Sequence, residues 1–184
     1  MPEAQTFQTV GKFRPKFDSH SKVQGETVYA DDLFLPRMLY AKLLRSPHPH
    51  ARITRIDTTA ALQRPGVVSV ITGKDVPIPY GILPVSQDEE ALCGEKVRMV
   101  GDPVAAVAAL DEETAEAALE DIMLEYDLLP SIMSIEEGLR QDEVQIHEYA
   151  DRGNIHKQVA LEFGNVESGF AEADHIREDI FYYE

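Results

Sequence analysis

Hydrophobic and polar positions alternate along several stretches of this chain, and the alternation lays out its elements. From Pro36 onward, Arg37 to Arg45 reads as a strand. Leu39, Ala41 and Leu43 share one face, and Tyr40, Lys42 and Leu44 the other. Ser46-Pro47-His48-Pro49-His50 is a stiff loop, because its prolines fix φ and hold their neighbours extended. Ala51 to Asp57 resumes an extended run through Ile53 and Ile56. Thr58 to Leu62 predicts a short helix stopped by Pro65-Gly66. Val67 to Ile71 is a β-branched run that predicts a buried strand.

Pro77, Pro79 and Pro84 discourage regular structure from Val76 to Gly94. A loop of that length is either functional or interfacial, or a plain surface connection. Val97 to Val100 and Val104 to Ala109 are apolar, and four alanines in the second run require close-packed neighbours. Asp111 is placed to cap a helix that opens with Glu112 and Glu113, where carboxylates suit the positive end of the dipole. Ala115, Ala118 and Leu119 form its inner stripe, and the helix runs to about Glu120. A strand over Ile122–Tyr126 then completes a β-α-β crossover unit with Val104–Ala109.

Pro130 ends that strand, and Ser134-Ile135-Glu136-Glu137 has capping-box spacing for one short helix. Ile155, Lys157, Val159, Leu161 and Phe163 alternate with mostly polar neighbours and predict a strand. Val166 to Ala173 predicts a short helix, and Ile176 to Tyr183 a last strand. The sequence stops at Phe181-Tyr182-Tyr183-Glu184, inside an apolar run. A bare aromatic edge invites aggregation, so either a partner covers it or the polypeptide continues.

Composition narrows the class. The chain has 184 residues, 43% hydrophobic and 27% charged, which suits one globular domain with at most a small satellite. A single cysteine, Cys93, excludes an internal disulfide framework and cannot hold an iron–sulfur cluster. No apolar run approaches the roughly 20 residues of a membrane helix. Met1 to Gln8 lacks a signal peptide's apolar stretch, so the expected location is cytoplasmic.

The net charge of −16 is uneven. Met1 to Asp57 holds 9 basic and 6 acidic residues; Thr58 to Glu184 holds 8 basic and 27 acidic. Such a chain repels phosphate backbones and anionic lipid, so neither nucleic acid nor membrane is an expected partner.

Motifs for chemistry are missing. The eleven glycines form no G-x-G-x-x-G and no phosphate loop, and no G-x-S-x-G or H-E-x-x-H occurs. His48 and His50 make an H-x-H pair, but a metal site needs further ligands. Asp31 and Asp32 are adjacent, so on a strand they would face opposite ways. Gly101-Asp102-Pro103 predicts a tight turn in which the Asp bonds its own backbone. The acidic neighbours of Cys93 raise its thiol pKa, against a nucleophilic role.

Five stretches, in order, resemble the start of the large subunit of the molybdenum hydroxylases, the xanthine dehydrogenase and aldehyde oxidase family. The first is Val10-Gly11, Asp18, Lys22 to Gly25 and Tyr29 to Asp32. The second is Leu43 to Ile53 followed by Ile56-Asp57-Thr58. Pro65-Gly66-Val67 with Thr72 to Pro77 is the third, Val100 to Ala109 the fourth, and Leu124 to Pro130 the fifth. Tyr80 to Val85, Phe163 to Val166 and Phe170 to Asp174 look closest to the 4-hydroxybenzoyl-CoA reductase large subunit.

The resemblance implies an α+β fold, the α/β hammerhead domain, with a mixed sheet and short helices. It divides the chain into an arm at 1–15, the hammerhead at 16–140, and the truncated start of a molybdopterin-binding domain at 141–184. It implies no catalytic, cofactor-binding or metal-ligating residue in this chain. The molybdenum cofactor, FAD and iron–sulfur clusters are expected only in the full complex. The expected partners are the remainder of the large subunit, an FAD-binding subunit and an iron–sulfur subunit, with a homo-oligomer as a further class. Family members hydroxylate aromatic or heterocyclic substrates with water as oxygen source, whereas the 4-hydroxybenzoyl-CoA branch runs in the reductive direction. The alternative is a stand-alone structural or interaction domain with no chemistry of its own.

Overall fold

The alanine-rich run read as a strand is the centre of the fold. The computed structural model describes residues 8–81, 87–140, 144–148 and 153–183. Its strands are β1 (Tyr40–Arg45), β2 (Ala51–Asp57), β3 (Val67–Thr72), β4 (Lys96–Val97), β5 (Pro103–Ala109) and β6 (Met123–Leu128). Its helices are α1 (Ser19–Gln24), α2 (Thr59–Gln63), α3 (Glu112–Leu119), α4 (Ile135–Gly138) and α5 (Val166–Glu172). The expected mixed sheet resolves into two three-stranded sheets, ordered β1-β5-β3 and β4-β2-β6, in which every described ladder is antiparallel.

β5 lies between two strands and is buried on both faces. Ala105 and Val107 join Ala61, Ala118 and Ile122 in one core cluster. Val104, from the opposite face, joins Ala51, Cys93 and Val97 in the other. Small side chains on β5 let α3 pack closely over β1 and β5, with Ala115 and Ala118 turned inward. The predicted cap is present: the Asp111 carboxylate accepts from the Thr114 N–H at 2.7 Å. Another close approach fixes the loop before β4. A Cβ on Gly73 would stand 2.6 Å from the Gly94 backbone and from the Leu92 carbonyl oxygen. Only glycine lets these two segments touch.

Several expected elements differ. β1 begins at Tyr40 rather than Arg37, because Leu35 to Met38 is a turn closed by Met38 N–H to Leu35 O at 3.0 Å. β3 is an edge strand with no buried residue, and Val68 is 52% exposed, so it is not the buried strand expected. β5, α3 and β6 form no crossover within one sheet: β6 pairs antiparallel with β2 in the second sheet. The 76–94 loop is not a plain surface connection either. It carries an isolated bridge between Tyr80 and Glu89 and buries Leu92 and Cys93. The alternating run Ile155–Phe163 and the run Ile176–Tyr183 form no strands and are largely exposed, because no strand edge among the described residues meets them. Residues 1–7, 82–86 and 184, which include the first part of the arm and most of the Tyr80–Val85 stretch, lie outside the described residues.

Candidate functional site

A concentration of polar side chains follows from the short strand β4. Alternation sends Lys96 and Arg98 to one side of the chain and Val97 into the core. Lys96 is only 7% exposed, so its ammonium needs a partner. Glu148 supplies it, with Oε1 2.5 Å from Lys96 Nζ and Oε2 3.0 Å from Arg98 Nη2. Partial burial opposes ionisation of Glu148, but the two cations bring its carboxyl down to about 2. Arg98 Nε also donates to the Ile146 carbonyl at 3.1 Å. Asn154 completes the clamp by accepting from Ile146 N–H and donating to the carbonyls of Gly138 and Val144. Residues 144–148 are thereby held against the sheet. The i, i+2 basic pair Lys96 and Arg98 was the sequence signal for this clamp, but its acid, Glu148, lies far along the chain.

The clamp borders a cleft of about 380 Å³ lined by Tyr80, Asp88, Glu90, Cys93, Asp102 and His147, among others. His147 Nδ1 is 2.8 Å from Asp88 Oδ2, an imidazole–carboxylate pair joining the 76–94 loop to the clamped segment. Among the described residues, the cleft offers this pair no activated nucleophile. Burial pushes the Cys93 thiol up to about 12, and Asp102 and Glu90 push in the same direction. Asp102 is occupied by backbone: its Oδ2 accepts from Arg98 N–H at 2.6 Å and Met99 N–H at 3.2 Å. It thus bonds the preceding turn rather than its own amide. Gly101 sits at φ 95°, and its N–H donates to Ser46 O, so the predicted tight turn ties the start of β5 to the end of β1.

The two histidines separate. His48 stacks edge-on against Tyr126, with ring centroids 4.9 Å apart. His50 is buried, with Nδ1 2.6 Å from the Pro130 carbonyl oxygen, while its own carbonyl accepts from Leu129 N–H. His50 therefore bonds the chain leaving β6 to the start of β2. Its Nε2 and the Tyr126 hydroxyl are buried and make no hydrogen bond with the described residues. Asp31 and Asp32 lie in a 3-10 turn rather than a strand, and Asp32 Oδ2 accepts from Tyr29 N–H at 2.9 Å.

The family resemblance implies a molybdenum cofactor. Among the described residues, no group of three or more His, Cys, Asp and Glu side chains is placed to hold a metal ion. The described residues thus include no side-chain cluster for a directly ligated metal, and no chemical step is placed on the cofactor in this chain. Also among the described residues, no helix is long and apolar enough to cross a membrane.

Comparison with known proteins agrees with the architecture. The family model for the aldehyde oxidase and xanthine dehydrogenase a/b hammerhead domain matches residues 24–130. The chain is 44% identical over 170 residues to a probable xanthine dehydrogenase component of Bacillus subtilis (strain 168), covering 91% of this chain and 22% of that protein. It is 37% identical over 175 residues to the nicotinate dehydrogenase large molybdopterin subunit of Eubacterium barkeri, covering 95% of this chain and 40% of that protein. Among solved structures, the aldehyde oxidoreductase from Desulfovibrio gigas superposes with a TM-score of 0.66 and 34% identity, over 73% of this chain and 16% of that one. The chain thus spans less than half the length of these relatives. It belongs to the aldehyde oxidase and xanthine dehydrogenase family and carries that family's a/b hammerhead domain.

Proposed function

We propose that this chain is the non-catalytic hammerhead portion of the large subunit of a molybdopterin-dependent oxidoreductase. One observation carries the reading. Among the described residues the buried apolar core lies entirely between Ala51 and Ile122, while both flanks present bare aromatic residues, with Phe17 100% and Tyr183 101% exposed. Exposed patches of this kind mark surfaces made to be covered. The arrangement suits a domain that packs beside others and positions them, and its polar cleft lacks an activated nucleophile.

In this reading 1–15 is an arm, 16–140 the hammerhead and 141–184 the start of the following molybdopterin-binding domain. The clamp at 144–148 supports a division near residue 140, because it ties the first part of that last stretch to the sheet. The molybdenum cofactor sits in the remainder of the large subunit, and FAD and iron–sulfur clusters in partner subunits. The substrate is aromatic or heterocyclic, a class supported by the nicotinate and xanthine dehydrogenases among the relatives. It is hydroxylated with oxygen from water; a reductase of the 4-hydroxybenzoyl-CoA type would run the same scaffold in the opposite direction.

The test has two arms. Elemental analysis and an absorption spectrum of the purified chain are expected to show no molybdenum, iron or flavin; a stoichiometric metal or a flavin band overturns the reading. Co-expression with the part of the B. subtilis protein outside the matched residues is expected to give a co-purifying complex, and its absence overturns the reading as well.

A further inference from the structure

Lys96, Arg98 and Glu148 have the arrangement of a carboxylate bound on a two-cation site, with the carboxylate supplied by the chain itself. Lys96 is buried, and its ammonium meets Glu148 Oε1 at 2.5 Å. Arg98 Nη2 meets Oε2 of the same carboxylate at 3.0 Å. The fold fixes the backbone of both cations without Glu148. Val97 between them is fully buried, β4 pairs with β2 through Ala51↔Val97 and Arg52↔Lys96, and the Arg98 N–H donates to Asp102 Oδ2 at 2.6 Å. Lys96 therefore stands across the ladder from a like charge, which is unfavourable without an anion nearby. Asp127 on β6 meets Arg52 from its other side. In a chain of net charge −16, the sheet itself builds this local cationic site.

Glu148 comes to the cations from the solvent side, with its side chain 66% exposed. It also uses Arg98 incompletely. Of the two donors on one edge of the guanidinium, Nη2 goes to Glu148, while Nε goes to the neutral Ile146 carbonyl at 3.1 Å. A free carboxylate can take both donors side by side, which is the stronger pairing, and the Lys96 ammonium as well.

We propose that Lys96 and Arg98 form a binding site for the carboxylate group of a small organic acid, and that Glu148 is the internal occupant with which this acid competes. Ligand and Glu148 exclude one another, so binding frees the segment 144–148 from the sheet. The Ile146 carbonyl is released at the same step, because the ligand takes the Arg98 Nε donor that held it.

The probe is sodium acetate, compared with sodium chloride at equal concentration and pH, on the full 184-residue chain. Glu148→Ala removes the internal carboxylate and leaves the two cations. About 0.1 M acetate is expected to raise the melting temperature of this variant by about 3 °C more than chloride does. Adding Arg98→Gln should abolish that difference, because the side-by-side donors are gone. In the wild type, acetate competes with Glu148. Amide hydrogen exchange across residues 144–148 should then run about threefold faster in acetate than in chloride, with exchange in β5 unchanged. Equal effects of acetate and chloride on Glu148→Ala overturn the proposal, as does an acetate effect that survives Arg98→Gln. Exchange at 144–148 that acetate leaves unchanged overturns it too. That wild-type measurement decides alone if either variant fails to fold.

Discussion

The middle of the chain and its two flanks use the same class of side chain to opposite ends. Between Tyr40 and Pro130, valines and alanines meet across antiparallel ladders and reach zero exposure at Val97, Val104 and Val107. Before Tyr40 and after Gly153, phenylalanines, tyrosines and leucines are larger, yet none of those described is buried. The difference is neighbours rather than hydrophobicity. β5 has a strand on each side and α3 above, so even alanine finds cover there. The flanks have no strand edge to pair with among the described residues, and hydrophobic side chains gain nothing until another surface removes them from water.

The comparison breaks most visibly at glycine. Gly73→Ala would drive a Cβ to 2.6 Å from the Gly94 backbone, which has no flexible side chain to yield. We expect a loss of about 3 kcal/mol, read as a shift of the denaturant midpoint. Gly169, within α5 of the C-terminal flank, has nothing within 4 Å, and Gly169→Ala should be neutral or slightly stabilising. Similar losses at both glycines would erase the distinction between the regions.

A smaller contrast comes from truncating side chains. Val107→Ala removes two methyl groups from a fully buried site and should cost about 2 kcal/mol. Phe181→Ala removes a whole ring, but that ring is 88% exposed, so stability of the chain alone should change by less than about 0.5 kcal/mol. Thermal unfolding of the two variants decides the matter, and a large loss for Phe181→Ala would mean the flank is covered.

A more modest effect is expected at the clamp formed by Glu148 with Lys96 and Arg98. The Glu148 carboxyl is held at about 2, below the ordinary value of 4.5. A depressed carboxylate stabilises the fold above its unfolded pKa, and that contribution is lost as pH falls from about 4.5 through about 2. Glu148 is largely exposed, so solvent screening leaves about 1 kcal/mol. Protease cleavage near residues 144–148 should therefore increase as pH falls across that window. Glu148→Gln should cleave readily and with little pH dependence; a wild type that stays protected at about pH 2 would remove Glu148 from the clamp.

Local patterning alone located most of the middle. The Asp111 cap, the α3 stripe of Ala115 and Ala118, the Pro65-Gly66 stop and the turn at Gly101 each rest on residues close in sequence, where intrinsic geometry decides. The order of family-like stretches identified the fold that these pieces build. The candidate site was less legible. Lys96 and Arg98 find their partner at Glu148, and Asp88 finds His147, across separations that no periodicity encodes.

What tertiary structure alone decided is which strand-like segments become strands. Ile155–Phe163 alternates more cleanly than β3 does, yet it forms no ladder and stays largely exposed, while the plainer β3 pairs with β5. Alternation specifies a chain that has one face to bury; whether that face is buried depends on a partner edge with unpaired N–H and C=O groups at the right place. The assignment of β5 and β6 to different sheets has the same origin, since the short helix α3 between them does not dictate which neighbour each strand meets. Sequence by itself determined the caps, turns and apolar stripes of this domain, because those are short-range steric and hydrogen-bonding choices. Only the assembled fold decided burial and pairing, because those depend on surfaces contributed by residues far away in the chain.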